Sequence, residues 1–264
     1  MKIGIFDSGL GGLIIARAIR ETMPEYDYVY LGDTKRVPYG NKSHEAVLEF
    51  TKECVDYLLR KENCAIVIIA CNTACARALR NMQQEYLPTH FRDRKILGVL
   101  IPGAEEASRY NKIGILATLG TVASKTFSIE IKKLNKKAKV FQNPAPMLVP
   151  LIEEGNIKEA EVFLIKYLKP FMDKSLDALV LGCTHYPMLK KEIRKIISRK
   201  TKIISQEEIV PKKLKSYLKK HSEISKKLSR NRSIKLLATD ETENMRRLVK
   251  KWFGYFSSFT ILKN

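Results

Sequence analysis

Little in this chain marks a secreted, membrane-spanning or metal-clustered protein. It has five cysteines in 264 residues, Cys54, Cys64, Cys71, Cys75 and Cys183, an odd number without a paired CxxC spacing. That pattern argues against a disulfide framework or a cysteine-ligated zinc site and favours free thiols in a reducing compartment. No apolar run approaches the roughly 18 residues needed to cross a bilayer. The opening stretch MKIGIFDSGLGG has too short an apolar segment for a signal peptide, so the expectation is a cytoplasmic protein without membrane contact. There is one tryptophan, and the segment DSGLGGL, although glycine-rich, is neither a Walker loop nor a spaced dinucleotide fingerprint.

Positive charge, by contrast, is abundant: 48 Lys and Arg against 28 Asp and Glu, net +20. Residues 1–110 carry 15 basic and 14 acidic side chains, and residues 111–264 carry 33 and 14, so the excess lies almost wholly in the second part. Such asymmetry can signal a polyanion partner. The basic residues there are mostly lysine, a number of them in pairs such as Lys132-Lys133, Lys136-Lys137, Lys212-Lys213 and Lys219-Lys220, without interleaved aromatics to stack bases. A solvated lysine-rich surface is therefore the simpler reading, with nucleic acid an unfavoured partner.

Three pairs of segments recur in one order at nearly one spacing. IGIFDSGLGG from Ile3 resembles IGILATLGTV from Ile113, RVPYGNKSHEA around Pro38 resembles LVPLIEEGNIKEA around Pro150, and VIIACNTACARAL around Cys71 resembles ALVLGCTHYPMLKK around Cys183. Together they imply a duplicated unit. Each copy alternates strand and helix: strands at 2–6, 27–31 and 65–70 with helices at 10–22 and 44–61, then strands at 112–117, 138–143 and 178–182 with helices at 122–135 and 157–173. A further helix is expected at 187–198.

β-branched runs such as IVII and ALVL suit parallel strands covered on both faces. The expected fold class is α/β, two similar doubly wound domains with mainly parallel sheets related by a pseudo-twofold. Residues 1–96 plus 206–264 are expected to form the first domain and 97–205 the second, which opens with a strand in LGVLIPGA (97–104). A short strand at 202–205, another at 233–238 and a mostly helical basic tail should complete the chain, with the tail returning to the first domain. Ligands of such sheets bind beyond the carboxyl ends of the strands, where Cys71 and Cys183 fall.

Burial as a small hydrophobe suffices for Cys54, Cys64 and Cys75. Cys71 and Cys183 differ because each sits between a strand and a helical pattern. Unpaired N–H groups at a helix start favour thiolate and pull the thiol pKa down from about 8.5. Asn72 and Thr73 follow the first cysteine, Thr184 and His185 the second; all can donate to a carboxylate. Asp7 and Ser8 close the first strand, Gly9, Gly11 and Gly12 allow close backbone approach, and Val37-Pro38-Tyr39-Gly40 adds a stiff loop with a phenol. By the repeat, Thr118 and Thr121 supply hydroxyls opposite.

The stretches FDSGLGG, VPYG, ACNTA, IPGA, ATLGT and GCTHYP, in this order and at these intervals, resemble glutamate racemase of the aspartate/glutamate racemase superfamily, over roughly residues 1–200. The resemblance implies a cofactor-independent, two-base interconversion of L- and D-glutamate that supplies D-glutamate for peptidoglycan, in an enzyme that forms a homodimer. It assigns Cys71 to deprotonating the D-substrate and Cys183 the L-substrate, with Asp7 and His185 as their auxiliary groups. It also implies substrate contacts from Asp7, Ser8, Pro38, Tyr39, Gly40, Asn72, Thr73, Thr118, Thr121, Thr184 and His185. Inverting an α-carbon needs a base on one face and an acid on the other, and one thiol per copy supplies both.

His185 could instead ligate zinc or cap a helix. No second His or Cys stands near it with metal spacing, so no metal is expected. The alternatives are an aspartate or broader amino-acid racemase of the same superfamily, or a polyanion-binding protein with a decayed site. Two positions depart from the family's pattern: Ile204-Ser205-Gln206-Glu207 replaces an Asp-Ser-Gly-like turn, and Asn143-Pro144-Ala145-Pro146 replaces a cysteine-proline pair.

Overall fold

Ten strands divide into two wholly parallel sheets in a computed structural model that describes residues 1–253 and 259–262. The strands are β1 (Lys2–Asp7), β2 (Tyr28–Gly32), β3 (Cys64–Ile69), β4 (Lys95–Gly98), β5 (Lys112–Ala117), β6 (Lys139–Pro144), β7 (Ala178–Gly182), β8 (Lys202–Ile204), β9 (Ile234–Ala238) and β10 (Thr260–Ile261). The first sheet has the order β10-β9-β2-β1-β3-β4 and the second β6-β5-β7-β8. Within them β2-β1-β3-β4 and β6-β5-β7-β8 are the same arrangement, and the first sheet adds β9 and β10 beside β2. The doubly wound α/β class expected from the alternating pattern is thus present, with the repeat visible as repeated strand order.

Every residue of β3 and β7 is buried, which is why both read as continuous apolar runs. Burying each Ile, Val or Leu side chain of these strands contributes about 1.5–3 kcal/mol. The helix Asn72–Asn81 buries Ala74, Cys75, Ala78 and Leu79 along one stripe. Gln206–Lys220 packs Val210, Leu214 and Leu218 into the same core as Leu13, Ala16 and Ile19 of the helix Gly12–Thr22. The lysine pairs of 132–133, 136–137, 212–213 and 219–220 are all exposed, as a solvated face requires.

Three expected elements differ. The strand placed in 97–104 is only the end of β4, which pairs with β3 in the first sheet, and Leu100–Ala107 is a helix. The first sheet therefore keeps the chain through Gly98, past the expected division at 96/97. The helix expected over 122–135 is broken at Lys125, whose φ of 57° is left-handed, into Leu119–Ala123 and Thr126–Leu134. The helix expected over 187–198 is a 3₁₀ turn, Tyr186–Leu189, followed by Lys190–Ile196. In the tail, helix Glu243–Phe253 precedes β10, and residues 254–258 and 263–264 lie outside the described residues. Among the described residues, no helix is long and apolar enough to cross a membrane.

Candidate active site

The carboxyl ends of β1 and β3 in one sheet and of β5 and β7 in the other contribute to a single cleft. It is narrow, with about 40 Å³ that the centre of a water-sized sphere can occupy, room for a few waters. Both Cys71 and Cys183 line it, together with Ser8, Pro38, Tyr39, Gly40, Asn72, Thr73, Thr118, Thr184 and His185. Asp7 and Thr121 do not line the cleft; both are fully buried.

Cys71 caps the helix Asn72–Asn81, its sulfur accepting from the Ala74 N–H at 3.4 Å and from Ser8 Oγ at 3.2 Å. Contrary to the expectation of a lowered pKa, burial pushes this thiol up to about 12, and the negative charge of Asp7 adds to the rise. The hydrogen bonds from Ser8 and Ala74 pull the other way and lose, because a buried sulfur gives up more hydration than two donors return. In the free protein Cys71 is therefore held as the neutral thiol at pH 8. Alkylation of Cys71 by iodoacetamide, read by peptide mass spectrometry, should therefore be slow at pH 8 and should still be accelerating tenfold per pH unit at pH 10. A rate that levels off near pH 8 would contradict the buried, neutral thiol.

Cys183 follows β7 directly, and its sulfur lies 3.8 Å from His185 Nδ1. On its other side His185 Nε2 meets Glu153 Oε1 at 2.9 Å. Burial alone would lower the His185 pKa, but hydrogen bonds to Cys183 and Glu153 and the charges of both carry it well above its ordinary value. In the imidazolium form both ring nitrogens donate, one to the sulfur and one to the carboxylate. Gly11 makes room for this group: a Cβ there would stand 2.4 Å from Thr184 Oγ1 and 2.6 Å from His185 Nδ1.

The Gly9 N–H donates to Asp7 Oδ2 at 3.0 Å, while Oδ1 has no partner among the described residues. Burial raises the Asp7 pKa, offset in part by His185 and by the Gly9 and Gly12 N–H groups. Threonine hydroxyls converge across the repeat: Thr73 Oγ1 is 2.8 Å from Thr118 Oγ1, which donates to Thr121 Oγ1 at 3.0 Å. The Tyr39 hydroxyl donates to Asp33, so that residue offers the cleft its ring and backbone. The Asn72 side chain is likewise engaged, with Gln206, which leaves its backbone N–H for a ligand.

Glu153 was not among the expected site residues. Its signal was present in the repeat, because LVPLIEEG corresponds to RVPYGN, and the two loops line one cleft. Which glutamate of that loop meets a ring nitrogen depends on the helix Leu148–Glu153, and so on tertiary packing. Cys54, Cys64 and Cys75 lie outside the cleft, buried and free, with their thiols pushed up by burial. No group of three or more His, Cys, Asp or Glu among the described residues could hold a metal ion.

The family model for Asp/Glu/Hydantoin racemase matches residues 14–208. A curated glutamate racemase of Aquifex aeolicus is 39% identical over 260 residues, spanning 96% of this chain and 94% of its own. Among solved structures, glutamate racemase from Francisella tularensis in complex with D-glutamate aligns at a TM-score of 0.89 and 30% identity, covering 99% of this chain and 97% of that one. Glutamate racemase from Aquifex pyrophilus aligns at 0.80 and 35%, covering 99% and 98%. The chain belongs to the Asp/Glu/Hydantoin racemase family, among its glutamate racemases.

Proposed function

We propose that this protein interconverts L- and D-glutamate without a cofactor, using Cys71 and Cys183 as the two bases, and so supplies D-glutamate for peptidoglycan. The observation that carries the reading is the delivery of one thiol from each repeat to one cleft, each with its own proton partner. A thiolate on one side removes the α-proton, and the thiol on the other returns a proton to the opposite face. Each turnover therefore exchanges the protonation states of the two sulfurs. Cys183 serves L-glutamate and Cys71 D-glutamate. The neutral Cys71 of the free protein is already the acid required for the L-to-D direction.

His185, held at Nε2 by Glu153, moves the proton of Cys183, while the buried carboxyl of Asp7 serves Cys71. As the α-proton leaves, negative charge spreads onto the α-carboxylate. The first-turn N–H groups of Asn72 and Thr73 have no helical carbonyl to meet, and with the Thr73, Thr118 and Thr184 hydroxyls they can hold that charge. The glutamate complex among the solved relatives supports the choice of substrate.

Isotope exchange tests the reading. Purified protein with reduced thiols, given either enantiomer in deuterated buffer, should place one deuterium on the α-carbon of the inverted product. Aspartate exchange with glutamate left unlabelled would make this an aspartate racemase instead.

A further inference from the structure

Where the family's pattern has an Asp-Ser-Gly-like turn, this chain has Ser205-Gln206-Glu207, and the structure gives Gln206 a specific task. Its side chain is 2% exposed, and so is that of Asn72, 134 residues away. The two amides face each other: Asn72 Nδ2 donates to Gln206 Oε1 at 2.9 Å, and Gln206 Nε2 donates back to Asn72 Oδ1. Both functional atoms of each amide are thereby satisfied inside the protein.

The location matters as much as the pairing. The chain passes between the sheets twice, once through the helix Leu100–Ala107 after β4 and once through Ser205 after β8. Gln206 sits at both crossings. It begins the helix Gln206–Lys220, and its amide packs on Gly103 of the other crossing, where an added Cβ would lie 3.7 Å from Nε2. β8 in turn pairs with β7, the strand that delivers Cys183. Asn72 directly follows Cys71 and opens the helix that Cys71 caps.

We propose that Gln206 is a positioning residue which, through its paired amide bonds to Asn72, holds the first turn after Cys71 in register with the strand beside Cys183. It touches no substrate. It acts by keeping the Asn72 and Thr73 N–H groups aimed into the cleft and Cys71 packed against Ser8 and Ala74. The kinetic half of this inference rests on the glutamate racemase reading, whereas the packing half concerns Cys71 alone.

The test therefore uses two readouts on the full chain. In Gln206→Ala, KM for both glutamate enantiomers should rise about tenfold or more with a smaller change in kcat. Alkylation of Cys71 at pH 9 without substrate should quicken about tenfold. Gln206→Asn, which retains the amide but shortens its reach, should move both in the same direction. Adding Asn72→Gln to Gln206→Asn restores the summed length and should recover most of the loss, a coupling that general destabilisation does not produce. If Gln206→Ala does not fold, the Gln206→Asn variant and the exchanged pair carry the test. Either readout staying within twofold of the parent protein overturns the proposal, as does an exchanged pair no better than Gln206→Asn. Should the parent protein leave glutamate unlabelled, the substrate reading fails, and the Cys71 alkylation rate alone decides the role of Gln206.

Discussion

Cys71→Ser protein in deuterated buffer is expected to wash deuterium into L-glutamate without making D-glutamate, and Cys183→Ser protein to do the reverse. A serine hydroxyl is far too weak an acid to replace a thiol in proton transfer to or from carbon, so racemisation should fall on the order of 10³-fold or more in either variant. The surviving thiol keeps its own partner, His185 for Cys183 and the Asp7 and Ser8 side for Cys71. It can still remove and return a proton on its own face. Nuclear magnetic resonance of the α-proton with chiral separation of the product reads both events. Undiminished racemisation in either variant would remove the two-thiol mechanism, and wash-in to the opposite enantiomer would reverse the assignment of faces.

The second large effect concerns the Cys183 side. His185→Asn should lower kcat/KM on the order of 10²-fold or more, the usual scale for a lost acid–base group. The fall must be equal in both directions, because the enantiomers have equal free energy. Asymmetry should appear instead in isotope exchange, with L-glutamate wash-in slowed more than D-glutamate wash-in.

Glu153→Gln tests the pH dependence of the same group. The folded-state pKa of His185 lies above its ordinary value, so the stability from its charge is complete below the unfolded value near 6.5. That contribution is lost as pH rises through the raised value. Activity that needs the imidazolium should decline over the same upper range. Removing the Glu153 charge removes one of the causes that raise the pKa, so the alkaline limb of kcat/KM should move to lower pH in Glu153→Gln. An unmoved limb would show that His185 does not set it.

Much of the architecture was legible because it is local. Strands such as IVII and ALVL declare themselves by β-branching, and the Cys71 turn by the change from a strand run to a helical pattern, whereas the stretch after Cys183 leads into a 3₁₀ turn before its helix. The order of the repeated stretches foretold a repeated strand order, which the structure shows in β2-β1-β3-β4 and β6-β5-β7-β8. What went unread depends on contacts distant in sequence. Nothing within 97–104 says that the first two residues pair with β3 while the rest turn into a helix. Nothing around Lys125 announces a left-handed residue in an otherwise helical pattern.

The site divides in the same way. Composition and motif order by themselves determined the fold class, the duplication, the two thiols and most of the donors around them, since these follow from residue type and spacing. Only the tertiary structure decided the rest. It brought Glu153 to His185, joined Gln206 to Asn72 across 134 residues, turned the Tyr39 hydroxyl away to Asp33, and buried Cys71 deeply enough to keep its proton. The physical reason is that a pKa or a hydrogen-bond partner is set by whatever surrounds a group in space. Desolvation at Cys71 outweighs a helix start that the sequence displays plainly, and the amount of water removed is a property of the packed fold.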